Sequence, residues 1–358
     1  MIRRLGRLAL GVAVAVVLFL ATGEVLARTL GILDRLNGYG RQLFVRGPSA
    51  DLPYRLQPGL DTTLFGIHVR VNRLGFRGPE IVTVPPEGTQ RVLFLGDSVV
   101  FGQGVAEEET MGAELARRLS AHGSYEVVNA GAQGYDTPAE AQLLELVGVA
   151  LRPRIVVVGM SLNDYDPAPV YDPTGVLMRR PLDERAPRLL DRSEFLLVLR
   201  WVVAYARGHT YTQLLERAGR QADAPDTERE RMRGLDKWVA TEHLRFYRNP
   251  DPVLMARLRT GLADLRRLCD GTGARLLVAV FPESYQVDSA TPDLTPQQKL
   301  LAVCAEVGVQ CLDLQPPFAA AGGDLFMDAQ HPNARGHAVA ATAIAAAILA
   351  ERDGSGAR

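Results

Sequence analysis

From Arg91 onward, short apolar segments alternate with stretches of helical periodicity, and this alternation constrains the fold more than any other feature of the 358-residue sequence. Strands are predicted at residues 91–96, 125–130, 154–160, 275–281 and 309–314, and helices near 107–121, 137–149, 254–270, 296–306 and 333–351. Strands that are apolar at nearly every position are buried on both faces, and helical connections make neighbouring strands parallel. The pattern predicts an α/β fold, with a doubly wound parallel sheet of about five strands flanked by helices.

The alternation is interrupted between the third and fourth strands by residues 172–250. This segment contains an apolar stretch from Phe195 to Ala206, followed by a charged stretch with no strand pattern. We interpret it as a helical insertion. Because ligands bind outside the carboxyl ends of the strands in such sheets, an insertion at this point can cap the active site.

The N-terminus has the pattern of a membrane anchor or an export signal. Arg3, Arg4 and Arg7 precede an uncharged run from Leu8 to Gly23. Positive charges ahead of an apolar segment keep that end in the cytoplasm, so the rest of the chain is expected on the extracytoplasmic, periplasmic side. Small residues near the end of the run also suit a signal peptidase. We therefore predict a membrane-anchored protein, which would be secreted if this segment is cleaved.

These patterns divide the chain into four parts. Residues 1–30 form the anchor or signal, 31–88 a linker with a small β segment, 89–351 the α/β domain that includes the insertion, and 352–358 a tail. Within the linker, Gly31 to Pro58 is predicted to be an irregular tether, whereas Asp61 to Gly78 alternates as a hairpin does.

Charge and cysteine content bear on the class of function. The net charge of −1 offers no basic field of the kind that nucleic-acid binding requires. No His/Cys group has metal-ligand spacing, so the sequence predicts neither a metal site nor a cofactor. In an oxidising compartment Cys304 and Cys311 could pair and leave Cys269 free, but their spacing alone does not decide this.

Four predicted loops at one edge of the sheet carry residues suited to catalysis. Ser98 follows the first strand in GDSV, Gly134 the second in NAGAQGYD and Asn163 the third in LND, while Asp328 and His331 precede the last helix in DAQHPN. Taken singly, each has a structural explanation as a turn, capping or surface residue. Together they provide a nucleophile, a base, a carboxylate that orients the base, and donors for an oxyanion. Acyl transfer through serine requires this set.

In this order, the four segments resemble the sequence blocks of the GDSL, or SGNH, hydrolase superfamily. The resemblance covers about residues 89–350 without the insertion, and it implies a flavodoxin-like SGNH hydrolase fold. It implies Ser98 as the nucleophile, His331 as the base and Asp328 as the residue that orients His331. The backbone N–H groups of Ser98 and Gly134 and the side chain of Asn163 would then form the oxyanion hole.

For three further residues near these blocks, the sequence suggests roles outside the catalytic set. Ser161 stands where the third block of the superfamily usually has glycine. Asp97 is expected to hold the turn before the nucleophile, and His337 is expected to pack within the final helix.

A narrower resemblance extends towards the N-terminus. Behind an anchor, the segments NRLGFRGPE and RVLFLGDSVVFGQGV are similar to membrane-associated bacterial SGNH proteins that are often linked with cell-surface polysaccharides. This implies an extracytoplasmic esterase that forms an acyl-enzyme on Ser98 and acts on O-acyl groups, such as O-acetyl groups, of carbohydrates or other esters. The implied partners are the membrane, through the N-terminal segment, and a small-molecule ester or an acylated glycan.

Two alternatives to this esterase stay open. The same acyl-enzyme would serve an O-acyltransferase for a cell-surface polysaccharide. A catalytically silent SGNH protein that binds glycan is the second alternative.

Overall fold

The computed structural model describes residues 2–32, 43–64, 66–165, 167–171, 177–178, 193–196, 198–199, 202 and 247–355. Contacts divide the chain into two units, Met1–Arg41 with Pro181–Glu216 and Gln42–Arg180 with Arg217–Arg358. The predicted insertion at 172–250 lies mostly outside the described residues, so its helical character and its role as a cap stay predictions.

The first unit contains a long N-terminal helix, α1 (Ile2–Leu30). By length and composition its segment Leu10–Leu30 could cross a membrane, and nearly all of this segment is exposed. The helix continues past Glu24, whose carboxylate accepts hydrogen bonds from Ser193 Oγ (2.7 Å) and Phe195 N–H (3.0 Å). The apolar segment that follows Ser193 therefore begins against α1.

The second unit begins with two antiparallel ribbons. Strand β1 (Phe44–Arg46) pairs with β2 (Tyr54–Leu56), and β3 (Asp61–Leu64) pairs with β4 (Ile67–Arg70). The β3–β4 ribbon is the hairpin that the alternation predicts. The β1–β2 ribbon lies where the sequence predicts an irregular tether, because strands of three residues are too short to show alternation.

The core of the second unit is a parallel sheet of five strands: β5 (Gln90–Gly96), β6 (Tyr125–Asn129), β7 (Ile155–Met160), β10 (Arg275–Val280) and β11 (Gln310–Asp313). Between β7 and β10 in the chain, β8 (Val170–Tyr171) and β9 (Leu177–Met178) form a separate antiparallel pair. The order across the sheet is β11-β10-β7-β5-β6, and every neighbouring pair is parallel. The doubly wound α/β class is confirmed, with each predicted strand end within one residue of the observed end.

Helices cover both faces of this sheet. They are α2 (Ser98–Phe101), α3 (Met111–Ser120), α4 (Thr137–Leu143), α5 (Pro252–Thr272), α6 (Ser284–Asp288), α7 (Thr295–Val307), α8 (Gln315–Ala321) and α9 (Ala334–Ser355). On one face, Val92, Phe94 and Val157 pack in a buried cluster with α3 and α9. Alternate residues of a strand point to the opposite face, where α4 and α5 pack against each other. Burial on both faces explains why the strands are apolar at nearly every position.

Candidate active site

Ser98 lies at the carboxyl end of β5, where it is the first residue of α2. Asp97 precedes the helix, and its Oδ1 accepts a hydrogen bond from Val99 N–H at 2.8 Å. An acidic side chain in this position satisfies a backbone donor that the helix leaves free at its start. The sharp change from strand to helix therefore occurs at the serine, which is buried except for 7% of its surface.

The Ser98 hydroxyl is hydrogen-bonded to His331, and His331 is hydrogen-bonded to Asp328. Ser98 Oγ lies 2.8 Å from His331 Nε2, although the two residues are 233 positions apart in the sequence. His331 Nδ1 lies 2.8 Å from Asp328 Oδ2 and 3.0 Å from Oδ1. Because an ionised carboxylate only accepts, it holds the proton on Nδ1 and leaves Nε2 to accept from the serine. An arrangement of this kind can activate a serine as a nucleophile.

Asp328 also shapes the loop that carries His331. Its Oδ1 accepts hydrogen bonds from the backbone N–H groups of Gln330 (2.8 Å) and His331 (2.7 Å). Met327 N–H donates to His331 O at 2.8 Å and closes the same loop. One carboxylate therefore orients both the imidazole ring and the backbone to which it is attached.

The charges of Asp328 and His331 favour an ion pair between them. Burial lowers the pKa of His331, but the charge of Asp328, its hydrogen bond and the charge of Asp97 together outweigh burial and raise the pKa above the ordinary 6.5. Burial raises the pKa of Asp328, yet the charge of His331 and the hydrogen bonds of the loop leave it below the ordinary 3.8. Asp328 is therefore ionised at neutral pH, and His331 is a stronger base than a free imidazole.

Two backbone N–H groups at this edge are free to receive a negative charge. Within the described residues, neither Ser98 N–H nor Gly134 N–H donates a hydrogen bond. Gly134 has φ of +72°, and a Cβ atom there would lie 3.0 Å from Pro169 Cδ, so the loop requires glycine. The loop runs beside the end of β5, since Ala132 N–H donates to Gly96 O at 3.0 Å. Free N–H groups at such a place are the donors that an oxyanion hole needs.

Asn163 follows β7, and its side chain lies close enough to Asp97 to oppose the rise in the pKa of that carboxyl that burial causes. Its Oδ1 has no hydrogen-bond partner among the described residues, so the amide Nδ2, which carries two N–H groups, is the atom that can donate to Asp97. Asp97 thus has a second role beyond holding the turn before Ser98. It connects the segment that begins with Ser98 to Asn163.

Ser161 occupies the position that is usually glycine in the third block of the superfamily. Its backbone N–H donates to Asp164 Oδ2 at 2.7 Å, and its hydroxyl donates to Asp97 Oδ2 at 3.3 Å. Among the described residues, Arg152 is the one non-glycine with a positive φ, so the backbone of Ser161 is in a region open to any L-residue. The serine adds a bond to Asp97 at no cost in backbone strain.

Two buried side chains that the sequence did not predict support the segment that begins with Ser98. Arg77, from the LGFRG segment, donates to three backbone carbonyls within residues 101–105 at 2.6 to 2.8 Å. Asn129 Nδ2 donates to Val100 O at 3.0 Å. Each provides a buried donor to carbonyl groups of the short helix α2 or of the turn that follows it.

A buried acidic side chain lies near Asp328. Glu283 follows β10, is only 2% exposed, and neither of its carboxyl oxygens has a hydrogen-bond partner among the described residues. The next residue, Ser284, donates its N–H to Ala329 O at 2.8 Å, beside Asp328. Burial, with a smaller contribution from the charge of Asp328, raises the pKa of Glu283 to about 8. At neutral pH Glu283 is mainly a neutral acid next to an ionised one.

His337 packs in the structure, as the sequence predicts. It is buried in α9, and its Nδ1 accepts a hydrogen bond from Met111 N–H, the first residue of α3, at 3.1 Å. Burial lowers the pKa of His337 to about 3, which matches its role as a neutral acceptor.

The three cysteines are not among the residues of the candidate site. Cys304 and Cys311 form a disulfide, and Cys269 is a buried free thiol. In the part of the chain that the structure describes, no three His, Cys, Asp or Glu side chains are grouped as metal ligands.

Comparison with known proteins adds a family and a set of structures. Residues 94–339 match the GDSL-like lipase/acylhydrolase family. No curated protein sequence matches the chain. Matching solved structures include the acetyl xylan esterase AlAXEase, with 14% identity, 72% of this chain and 99% of that chain covered, and a TM-score of 0.40. TesA also matches, with 15% identity, 71% of this chain and 96% of that chain covered, and a TM-score of 0.39. The acetylxylan esterase Axe2 from Geobacillus stearothermophilus matches with 15% identity, 72% of this chain and 93% of that chain covered, and a TM-score of 0.39.

The family match covers more than half of the chain and contains the whole hydrogen-bonded series from Ser98 to Asp328. It also contains the five parallel strands, apart from the first residues of β5. The protein belongs to the GDSL-like lipase/acylhydrolase family, whose members are ester hydrolases.

Proposed function

We propose that the protein is an extracytoplasmic serine esterase that forms an acyl-enzyme on Ser98 and acts on O-acyl groups, such as O-acetyl groups, of carbohydrates or other esters. The hydrogen-bonded series Ser98–His331–Asp328 is the observation that carries the proposal. It joins a hydroxyl, a base of raised pKa and an ionised carboxylate in the order that serine catalysis uses.

In acylation, Ser98 Oγ attacks the ester carbonyl while its proton moves to His331 Nε2. The Asp328 carboxylate stabilises the imidazolium that results. The N–H groups of Ser98 and Gly134, with the spare N–H of Asn163, receive the negative charge that develops on the carbonyl oxygen. When the tetrahedral intermediate collapses, the bond to the alcohol oxygen breaks, and the alcohol leaves with the proton held by His331.

Deacylation repeats these steps with water. His331 takes a proton from the water molecule as its oxygen attacks the acyl carbon, and Ser98 Oγ leaves and regains the proton. The free acid is released. If a sugar hydroxyl takes the place of water, the same acyl-enzyme acts as an O-acyltransferase, so the acceptor is a matter for experiment.

Two features support the extracytoplasmic location. Arginines at positions 3, 4 and 7 lie in the first turns of α1, ahead of the apolar segment Leu10–Leu30, and such charges favour a cytoplasmic N-terminus. The Cys304–Cys311 disulfide is of a kind that persists in oxidising compartments. Alkylation of thiols in intact cells before lysis, followed by mass spectrometry, should find these two cysteines linked. A reduced pair would contradict the location.

The carbohydrate substrate is supported by the sequence around the nucleophile. The segments NRLGFRGPE and RVLFLGDSVVFGQGV are similar to those of membrane-associated bacterial SGNH proteins linked with cell-surface polysaccharides. A panel of esters of increasing acyl length, together with an O-acetylated polysaccharide, tests this class. Hydrolysis confined to long-chain lipid esters would contradict it.

A fluorophosphonate probe tests the acyl-enzyme directly, because it reacts with activated serines. The wild-type protein and the Ser120→Ala variant, which lacks an exposed serine of α3, should both be labelled, whereas Ser98→Ala should not. Absence of labelling in the wild type would overturn the proposal. If that protein binds polysaccharide and turns over no ester, it is a glycan-binding protein instead.

The acceptor is identified by product analysis. The enzyme is supplied with a donor ester, with and without a deacetylated polysaccharide. Free acid in both reactions indicates an esterase, and acylated polysaccharide in the second indicates a transferase.

A further inference from the structure

The β1–β2 ribbon sends one side chain to the Gly134 loop. Tyr54, at the start of β2, is fully buried, and its hydroxyl donates a hydrogen bond of 2.5 Å to Gln133 O. The two residues are 79 positions apart, and Tyr54 precedes the family segment, which starts at Phe94. The contact therefore comes from a part of the chain that the family match does not include.

The carbonyl that Tyr54 holds belongs to the same peptide group as the Gly134 N–H. A trans peptide is planar, so its C=O and N–H point in opposite directions and turn together. No described peptide bond is cis. Fixing Gln133 O consequently fixes the direction in which the Gly134 N–H points. A bond accepted at the carbonyl also polarises the peptide and strengthens its N–H as a donor.

Gly134 depends on this contact because little else holds its peptide. Its N–H makes no hydrogen bond within the described residues, and its φ of +72° belongs to a region where glycine is free to move. A Cβ atom on Gly134 would lie 3.2 Å from Tyr54 Oη, so the hydroxyl lies against the glycine as well. Tyr54 therefore restricts the backbone rotation that Gly134 would otherwise allow.

Tyr54 is itself held in place by the loop it contacts. Tyr135 Oη donates to Tyr54 O at 2.8 Å, and the two rings are 5.4 Å apart. Phe44 of β1 packs edge-on against the Tyr54 ring at 5.0 Å. A side chain fixed on both sides can impose a direction on the peptide it binds.

We infer that Tyr54 is a positioning residue for the oxyanion hole and acts through the Gln133–Gly134 peptide. The inference rests on the proposed function, in which the Gly134 N–H receives the developing charge. Without the hydroxyl, the peptide can rotate away from the orientation that the transition state requires. The loss should therefore be felt in kcat more than in KM.

The test compares Tyr54→Phe with Tyr125→Phe in the full-length protein in detergent. Each variant loses one tyrosine hydroxyl, but only Tyr54→Phe frees Gln133 O, whereas Tyr125 starts β6 at the opposite end of the sheet from Ser98. We expect Tyr54→Phe to lower kcat by about 10- to 100-fold, up to the lower limit for loss of a whole oxyanion donor, with KM nearly unchanged. Tyr125→Phe should stay within about threefold of wild type in both constants. Titration with the fluorophosphonate counts the competent active sites, so kcat is calculated per competent site and does not depend on the fraction of the variant that is folded.

A trifluoromethyl ketone separates positioning from a general loss of structure. Its adduct with Ser98 carries an oxyanion, so Tyr54→Phe should weaken its binding by about the same factor as kcat/KM. An equal kcat in the two variants, or a ketone affinity that does not follow kcat/KM, would overturn the inference. If the wild type is not labelled and hydrolyses no ester, the proposed function has failed instead.

Discussion

Glu283→Gln should make the stability of the protein less sensitive to pH. Glu283 is buried, lacks hydrogen-bond partners within the described chain, and has its pKa raised to about 8 mainly by burial and also by the charge of Asp328. An unfolded chain releases this proton near 4.5. Between these two pH values the wild-type protein must bind a proton in order to fold, so the stability present below 4.5 is lost as the pH rises to 8. Glutamine has no proton to bind.

The size of the effect follows from the two pKa values. Each unit of pH inside the window changes the free energy of unfolding by about 1.4 kcal/mol. At pH 7 the wild type has therefore lost about 3 kcal/mol relative to pH 4.5, and the variant has not lost this amount. A buried amide without partners costs about 1–3 kcal/mol, but this cost is the same at every pH. The quantity to measure is therefore the change with pH of the difference in the free energy of unfolding between the variant and the wild type.

Urea unfolding of the full-length chain in detergent, followed by circular dichroism from pH 4 to 9, measures this difference. Glu87→Gln, which changes an exposed glutamate, is the matched control. For Glu283→Gln the difference should increase in favour of the variant between about pH 4.5 and 8 and level off above. A flat difference, or one that falls, would refute the reasoning.

Three other substitutions test the site. Asp328→Asn should lower kcat about 10⁴-fold. The acid limb of the pH profile of kcat/KM should also move to lower pH, because burial lowers the pKa of His331 and the opposing charge of Asp328 is gone. An acid limb at the wild-type pH would contradict this. Asn163→Ala should lower kcat about 100- to 1,000-fold with little change in KM, and a loss below about threefold in steady-state kinetics would exclude Asn163 as a donor. Arg77→Met removes three hydrogen bonds to backbone carbonyls, of which Phe101 O keeps a bond from Asn129 Nδ2 and Gly102 O one from Val105 N–H, and it should cost about 1–3 kcal/mol in urea unfolding. The exposed Arg73→Met should change stability by less than about 0.5 kcal/mol, and equal losses would show that the carbonyl contacts carry no stability.

The sheet and the loops at its edge could be predicted because each has a local signal. Buried parallel strands are apolar at nearly every position, so β5 and β7 are recognisable in isolation. Ser98, Asn163 and His331 each follow a predicted strand or precede a predicted helix, and the topology brings such positions to one edge. Their convergence follows from strand order, which the alternation of strands and helices implies.

The supporting residues could not be predicted, because their partners are backbone atoms far away in the sequence. Tyr54 and Arg77 donate to carbonyl groups, and a carbonyl is present at every residue, so the partner leaves no mark on the sequence. Glu283 differs from a surface glutamate only by its burial, which depends on the packing of α6 against the Asp328 loop. Ser161 shows the limit of motif comparison, since a departure from the usual glycine is accommodated by a bond to Asp97 that only the structure shows.

The three bonds of Arg77 also bear on how this enzyme can be divided and inherited. The family segment starts at Phe94, yet the chain that follows Ser98 is held by the guanidinium of Arg77, seventeen positions before that start. A gene fusion or a natural recombination event that joined a foreign leader at residue 89 would keep Ser98, Asp328 and His331 and lose this support. The workable breakpoint lies before Leu43, where the second unit begins its described structure. The segment with the short ribbons and the α/β domain therefore form one evolutionary unit. Loss or exchange of one of them should be tolerated only when the other changes with it.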